Sequence, residues 1–198
     1  MKTPATGICQ LPAAPGPEQP DLLVVFPSRL GWMAVIGSGN KLRYLTFGHS
    51  SREAAARALS PHLTGNVRPG TWNRRLVCRL QAYASGHRDE FRDVEVDLGQ
   101  RTDFQRRILR CCRQIPFGQT LTYGQLAAKA SFPRAARAVG NCMAANCIPL
   151  VIPCHRVVAA DGGLGGYSGV GGTRMKRLLL ALEGGLVCGQ RPSFPARP

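Results

Sequence analysis

The sequence predicts an α+β fold. It reads as a small N-terminal α/β domain with a short antiparallel sheet, then a mostly helical, winged-helix-like C-terminal domain containing a helix-turn-helix. Three observations predict this. Three short β-forming runs crowd into residues 22–47, separated by turn residues. Two capping boxes, Thr102–Gln105 and Thr122–Gln125, open helices in the second half. After Pro133 a helical pattern carries arginines and small residues on one face. The expected division is a disordered tail over 1–20, an N-terminal α/β domain over 21–100, a helical domain over 101–188 and a second tail over 189–198.

Taken in order, Leu22–Ser28, Gly31–Gly37 and Lys41–Phe47 are strands, with Ser38–Asn40 as a turn. Ser51 caps a helix to Leu59, and a second helix over Trp72–Tyr83 places Leu76, Leu80 and Tyr83 on one face. Val94–Leu98 alternates as a last strand, and the boundary falls near Gly99–Thr102. The box at Thr102 opens a helix with Phe104, Ile108, Cys112 and Ile115 inward, stopped by Pro116 and Gly118. The box at Thr122 opens a short helix to about Lys129, and Pro133 suits the first turn of the next, which runs to Asn146. On that helix Ala136, Val139, Gly140 and Met143 face inward, and Arg134, Arg137, Ala138 and Asn141 face out. This pattern fits a helix that approaches DNA closely and equally a plain solvated amphipathic helix. A last helix over Arg174–Gly184, capped by Thr173, packs Met175, Leu178, Leu179 and Leu182. Glu183 stands in its final turn, where the helix dipole disfavours an anion, so a partner such as a histidine is expected there.

The charge points to a polyanion. The net charge is +15, of which residues 101–198 carry +11 on fourteen bases and three acids. No basic amphipathic helix with an aromatic face suggests a membrane partner, and no apolar run approaches the roughly 20 residues that span a bilayer. The N-terminus lacks the apolar stretch of a secretory signal, so an intracellular location is expected, cytoplasmic or, in a eukaryote, nuclear. The eight cysteines then read as reduced thiols. Cys9, Cys78, Cys111, Cys112, Cys142, Cys147 and Cys188 lack paired ligand spacing, so no zinc site is expected.

Cys154 differs by its setting in Pro153-Cys154-His155-Arg156. The thiolate is the nucleophilic form, and a histidine nearby lowers the cost of making it. Neighbours in an extended segment point to opposite sides, so a bridging water is the expected proton carrier to His155, with Glu183 holding the far ring nitrogen. Seven glycines between 162 and 172 surround Tyr167 and Ser168. They form a flexible lid over a pocket for a flat ligand, without the pattern of a phosphate loop.

From Phe104 to Gly184 the chain resembles the catalytic domain of the O6-alkylguanine-DNA alkyltransferases. The resemblance rests on IPFGQTLTYGQLAAKA, PRAARAVGNCMAAN, VIPCHRVV, GGYSG and KRLLLALEG. The first half resembles that family's variable domain only loosely, through LQAYASG and VDLGQRTDFQRRIL. The resemblance implies that Cys154 accepts the alkyl group of O6-alkylguanine in double-stranded DNA, with O4-alkylthymine an open second substrate. His155, Glu183 and a water form the relay. Asn146 is the structural asparagine beside the site. Tyr123 and Ser168 bond the flipped guanine, and Tyr167, Val157 and Met143 complete its pocket. Arg137 fills the gap left in the duplex, with Arg134, Ala138, Asn141 and Tyr123 on the DNA side and the second helix of the motif in the minor groove. It further implies one turnover per molecule, no cofactor and a monomer. Three departures stand out: Cys147 replaces the usual proline, an exchange expected to loosen the turn, Phe132 stands where a polar helix cap is expected, and the loop between Gly169 and Glu183 is slightly longer than in some members.

Three rival functions fit less well. A non-catalytic binder of alkylated bases would lack the nucleophile. A helix-turn-helix regulator has no use for Tyr123, Cys154 and Ser168 together. A cysteine hydrolase would separate its cysteine and histidine in sequence and add an oxyanion hole.

Overall fold

The computed structural model describes residues 20–62 and 67–184, and the two expected tails lie outside the described residues, with Cys9 and Cys188. The fold is α+β. Strands β1 (Asp21–Ser28), β2 (Gly31–Ser38) and β3 (Lys41–His49) form an antiparallel meander. A short strand β4 (Val67–Pro69) adds to β1 in parallel, giving the order β3-β2-β1-β4. The sheet is therefore not purely antiparallel. The Pro69 that hides β4 in the sequence is tolerated because β4 is an edge. Helix α1 (Arg52–Ala58) starts on the Ser51 cap and covers one face of the sheet, packing its Ala55 and its C-cap Leu59 on Ala34 and Ile36. Helix α2 (Arg74–Ala84) starts on Asn73 and buries Leu76, Leu80 and Tyr83 on the other. With helices on both faces, β2 is buried along both, so Met33 to Ile36 read as a continuous apolar run.

The expected strand over Val94–Leu98 is not formed. Its backbone touches β3 through a single bridge, Leu42 to Val96. The chain enters through a turn at Phe91–Val94 and leaves where Asp97 Oδ1 accepts the Gly99 N–H at 2.8 Å, so too few residues remain for a ladder.

Both capping boxes form, at Thr102 before α3 (Asp103–Arg113) and at Thr122 before α4 (Tyr123–Lys129). Helix α5 spans only Ala136–Ala144, not from Pro133. The Ala135 N–H returns to the Phe132 carbonyl at 3.2 Å, and Arg134 has φ 73°. Proline second and a left-handed third residue make a type II turn, so Pro133 shapes the turn and Arg134 lies off the helix face. Phe132 does not cap; its ring packs on Phe104, with centroids 4.8 Å apart. Helix α6 begins at Gly172 and ends at Leu182, and Thr173 makes no cap. A parallel pair, β5 (Leu121–Thr122) with β6 (Val157–Val158), joins the start of α4 to the segment after Cys154. One buried cluster runs through both halves, from Phe26 to Leu179.

Candidate active site

Pairing of β5 with β6 fixes the centre. Tyr123 directly follows β5, and Cys154–Arg156 directly precede β6, so a two-residue ladder brings Tyr123 and Cys154 to one cavity. That cavity, about 560 Å³, is lined by Tyr123, Arg137, Met143, Cys154, Tyr167 and Ser168, with Ala136, Gly140 and Ala144 of α5. A second, about 350 Å³, also reaches Cys154 and runs from Tyr167 and Ser168 toward β3 and α1. The lid approaches Tyr123 so closely that a Cβ on Gly165 would lie 2.9 Å from the phenol oxygen. The close approach and the φ of 66° both favour glycine there.

Cys154 is buried, 7% exposed. It begins one turn of 3-10 helix rather than an extended segment, and His155 turns away from the sulfur toward Glu183. Burial pushes the thiol up; the Asn146 side chain, the Lys176 ammonium and nearby backbone N–H groups oppose it. Asn146 also braces the approach to the cysteine. Its Nδ2 donates to the Ile152 carbonyl at 2.8 Å, and its Oδ1 accepts the Ile148 N–H at 3.1 Å.

His155 is fully buried, and its Nε2 lies 2.9 Å from Glu183 Oε1. An ionised carboxylate only accepts, so Nε2 carries the hydrogen and Nδ1 presents a lone pair. Nδ1 has no partner within the protein. Burial pulls the imidazole down against the pull of Glu183. Burial alone would raise the Glu183 carboxyl, but His155 and Arg156 hold it well below the usual carboxylate range. Arg156 Nε and Nη2 reach Oε2 and Oε1 at 2.9 and 2.7 Å, and its Nη1 donates to the Ile115 carbonyl at 2.7 Å. The Gly118 N–H adds a bond to Oε2 at 3.1 Å. The expected histidine partner of Glu183 is present, and the arginine anchors it further.

Of the residues expected from sequence, Cys154, Tyr123, Met143, Tyr167, Ser168 and Arg137 share the cavity. Val157 does not line it: it is fully buried in β6. Ser168 Oγ donates to the Ala144 carbonyl at 2.9 Å, tying the lid to the end of α5. Tyr167 has a buried hydroxyl without a protein partner, and burial followed by the Cys154 charge pushes it well up. Ala138 and Asn141 are exposed on α5 beside Arg137, and Arg134 is exposed in the preceding turn. Cys147 does not leave its turn loose. Its Sγ accepts from Arg101 Nη2 at 3.0 Å, and its carbonyl accepts the Leu45 N–H of β3 at 2.9 Å.

Two buried charged residues were not anticipated, Arg156 and Lys176, and Tyr83, expected only as an inward position of α2, also brings its hydroxyl to Glu183. Lys176 Nζ donates to the Val157 and Gly166 carbonyls at 2.6 and 3.2 Å and lies 5.8 Å from the Tyr123 ring centroid. A signal existed, because Lys176, Leu179, Leu180 and Glu183 repeat at i, i+3, i+4, i+7 and are all buried.

This geometry has close relatives. The methylated-DNA–protein-cysteine methyltransferase of Mycobacterium tuberculosis is 39% identical over 156 residues, 79% of this chain and 88% of its own. The chain belongs to that family. Within the methyltransferase family, residues 103–185 match the model described as 6-O-methylguanine DNA methyltransferase, DNA binding domain. The mouse methyltransferase is 51% identical over 86 residues, 43% of this chain and 40% of its own. The crystal structure of Mycobacterium tuberculosis OGT in complex with DNA superposes with a TM-score of 0.68 at 36% identity, covering 82% of this chain and 93% of that one. The O6-methylguanine-DNA methyltransferase from Pyrococcus kodakaraensis gives 0.62 at 26% identity, covering 83% and 99%. Among the described residues no cluster could hold a metal ion, and no helix is long and apolar enough to cross a membrane.

Proposed function

We propose that this chain repairs DNA by taking the alkyl group of O6-alkylguanine onto Cys154, irreversibly and once per molecule. One observation carries the assignment of residues: Cys154 faces a cavity shared by Tyr123 and Arg137 and is backed by the buried His155–Glu183 pair. An alkyl group on O6 points into the base stack, so the nucleotide leaves the duplex to react. Arg137, at the rim of the cavity on α5, supports the vacated stack. The thiol proton passes through a water to the free Nδ1 of His155, and Glu183 stabilises the imidazolium through Nε2–H. The thiolate then attacks the saturated carbon. The C–O6 bond breaks with its electron pair on O6, and the Tyr123 hydroxyl neutralises that oxygen as it leaves. Overall the thiol proton ends on guanine and a thioether remains.

The chemistry calls for no cofactor, and the chain acts as a monomer. Residues 101–188 form the DNA-binding catalytic domain, joined to an N-terminal domain over 21–100. Acting on DNA, the chain works in the cytoplasm or, in a eukaryote, the nucleus. The test uses duplex DNA with radiolabelled O6-methylguanine, followed by peptide mapping. Label is expected on the peptide holding Cys154 and is lost in Cys154→Ser; label on another cysteine, or none, rejects the assignment.

A further inference from the structure

We propose that Tyr83, on helix α2, is a positioning residue of the relay. Its hydroxyl fixes Glu183 against His155 and so sets the pH range over which Cys154 accepts an alkyl group. The inference rests on the alkyl-transfer reading above.

Tyr83 comes from the first half of the chain, a hundred residues before Glu183, yet its hydroxyl donates to Glu183 Oε1. The same hydroxyl lies 3.4 Å from His155 Nε2. Its ring is fully buried, with Phe91 and Phe117 centroids at 5.7 and 6.1 Å. Arg113 of α3 holds the Phe91 segment through that residue's carbonyl at 2.7 Å. The ring is thus placed by packing, independently of the hydroxyl.

Oε1 receives donors from three residues: Tyr83, His155 Nε2, and Arg156 through both Nη2 at 2.7 Å and Nε at 3.2 Å. Burial, then the Glu183 charge, pushes the phenol well up, so Tyr83 stays a donor throughout and does not shuttle protons. A donor on Oε1 draws charge from the atom that must stabilise the imidazolium, so it limits how readily His155 takes a proton. The other groups bearing on His155 are Glu183 and Lys176 from α6 and Arg156 from its own turn, which packs beside Cys154. Tyr83 is the group supplied by the first half of the chain.

The test is single-turnover transfer from an O6-methylguanine duplex by the full chain, from pH 5 to 9. Tyr83→Phe keeps the ring and removes the donor. Its acid limb is expected to move about half a unit to one unit toward higher pH, with a roughly three- to tenfold lower rate at the acid end. Phe91→Leu loosens the same packing and keeps the hydroxyl; it is expected to lower Tm and leave the limb in place. The proposal is overturned if Tyr83→Phe superimposes on the unmodified chain, or if Phe91→Leu moves the limb as far. Failure of the unmodified chain to label Cys154 would instead reject the underlying reading. A measurement without variants also decides: the Tyr83 hydroxyl proton should exchange slowly, with a nuclear Overhauser contact to the His155 ring. A freely exchanging hydroxyl overturns the proposal.

Discussion

Lys176 is the least expected charge near the reacting sulfur. Burial brings its ammonium down to about 8, with Cys154 and Cys112 opposing, so at neutral pH it remains a cation. Replacing it by methionine keeps the length and removes the charge. Lys176→Met should raise the thiol and slow transfer at pH 7 by about tenfold, equivalent to ~1.4 kcal/mol, read by single-turnover rates. The stability change has the same pH sense as that of a salt-bridged acid, in a higher window. Between about 8 and the ordinary 10.5, the unfolded chain holds a proton on Lys176 that the folded chain has lost. Stability contributed through this group therefore rises with pH across that window. Urea midpoints of the unmodified chain should gain on Lys176→Met between those limits. Glu183 follows the same rule at the acid end. Its carboxyl is held below the ordinary 4.5, so its contribution is present above that pH and lost as pH falls through the folded value. Glu183→Gln leaves Arg156 buried against a neutral partner and should cost about 3 kcal/mol at pH 7, by analogy with other broken buried pairs. The deficit should narrow below pH 4.5, measured by denaturant unfolding. Cys154, His155 and Glu183 were legible because each breaks a local rule, Glu183 by standing at the wrong end of a helix dipole. Tyr83 was legible as an inward position of its helix and Lys176 left a trace in a buried stripe, but the partners that give them and Arg156 their roles were not, because those partners come from segments far away in the chain.

The turn before α5 separates two tasks within one element. Arg134 holds a left-handed backbone, φ 73°, that costs a non-glycine residue about 1 kcal/mol or more. Arg134→Gly should raise stability by roughly 0.5–1 kcal/mol while removing a cation beside α5, the helix proposed to face DNA. The expected readouts are a higher Tm and a log-affinity against log-salt slope shallower by about 1. Arg137, one helical turn into the cavity rim, should behave differently. Arg137→Ala should impair repair in duplex DNA more than reaction with free O6-methylguanine, and equal losses would remove its role in the stack. Helix starts were legible where the signal is local. Thr102 and Thr122 each cap through a contact three residues away. The start of α5 was not, because Ala135 offers no capping side chain and Pro133 suits both a first helical turn and a type II turn. Strand β4 was hidden because its partner in β1 lies some 45 positions earlier and it carries a proline.

Across the whole molecule, the basic excess and the reactive sulfur lie in the second half, while Tyr83 reaches the relay from the first. The two halves also share backbone bonds, Leu45 N–H to the Cys147 carbonyl among them, and one continuous core. The α+β class was legible from strand runs followed by capped helices; the joint between them was not, since it is made of buried contacts that no local pattern records. Both tryptophans, Trp32 and Trp72, precede that joint. The Trp72 indole is seated on Gly37, where an added Cβ would come within 2.1 Å of the ring, and its Nε1 donates to the Gly39 carbonyl at 2.7 Å. Tryptophan emission, excited apart from the four tyrosines, therefore reports from the sheet and its side of the core, with no tryptophan on α4 or α5. A urea titration followed by emission, set beside one followed by residual alkyl acceptance, would show whether the ends melt in step or one after the other.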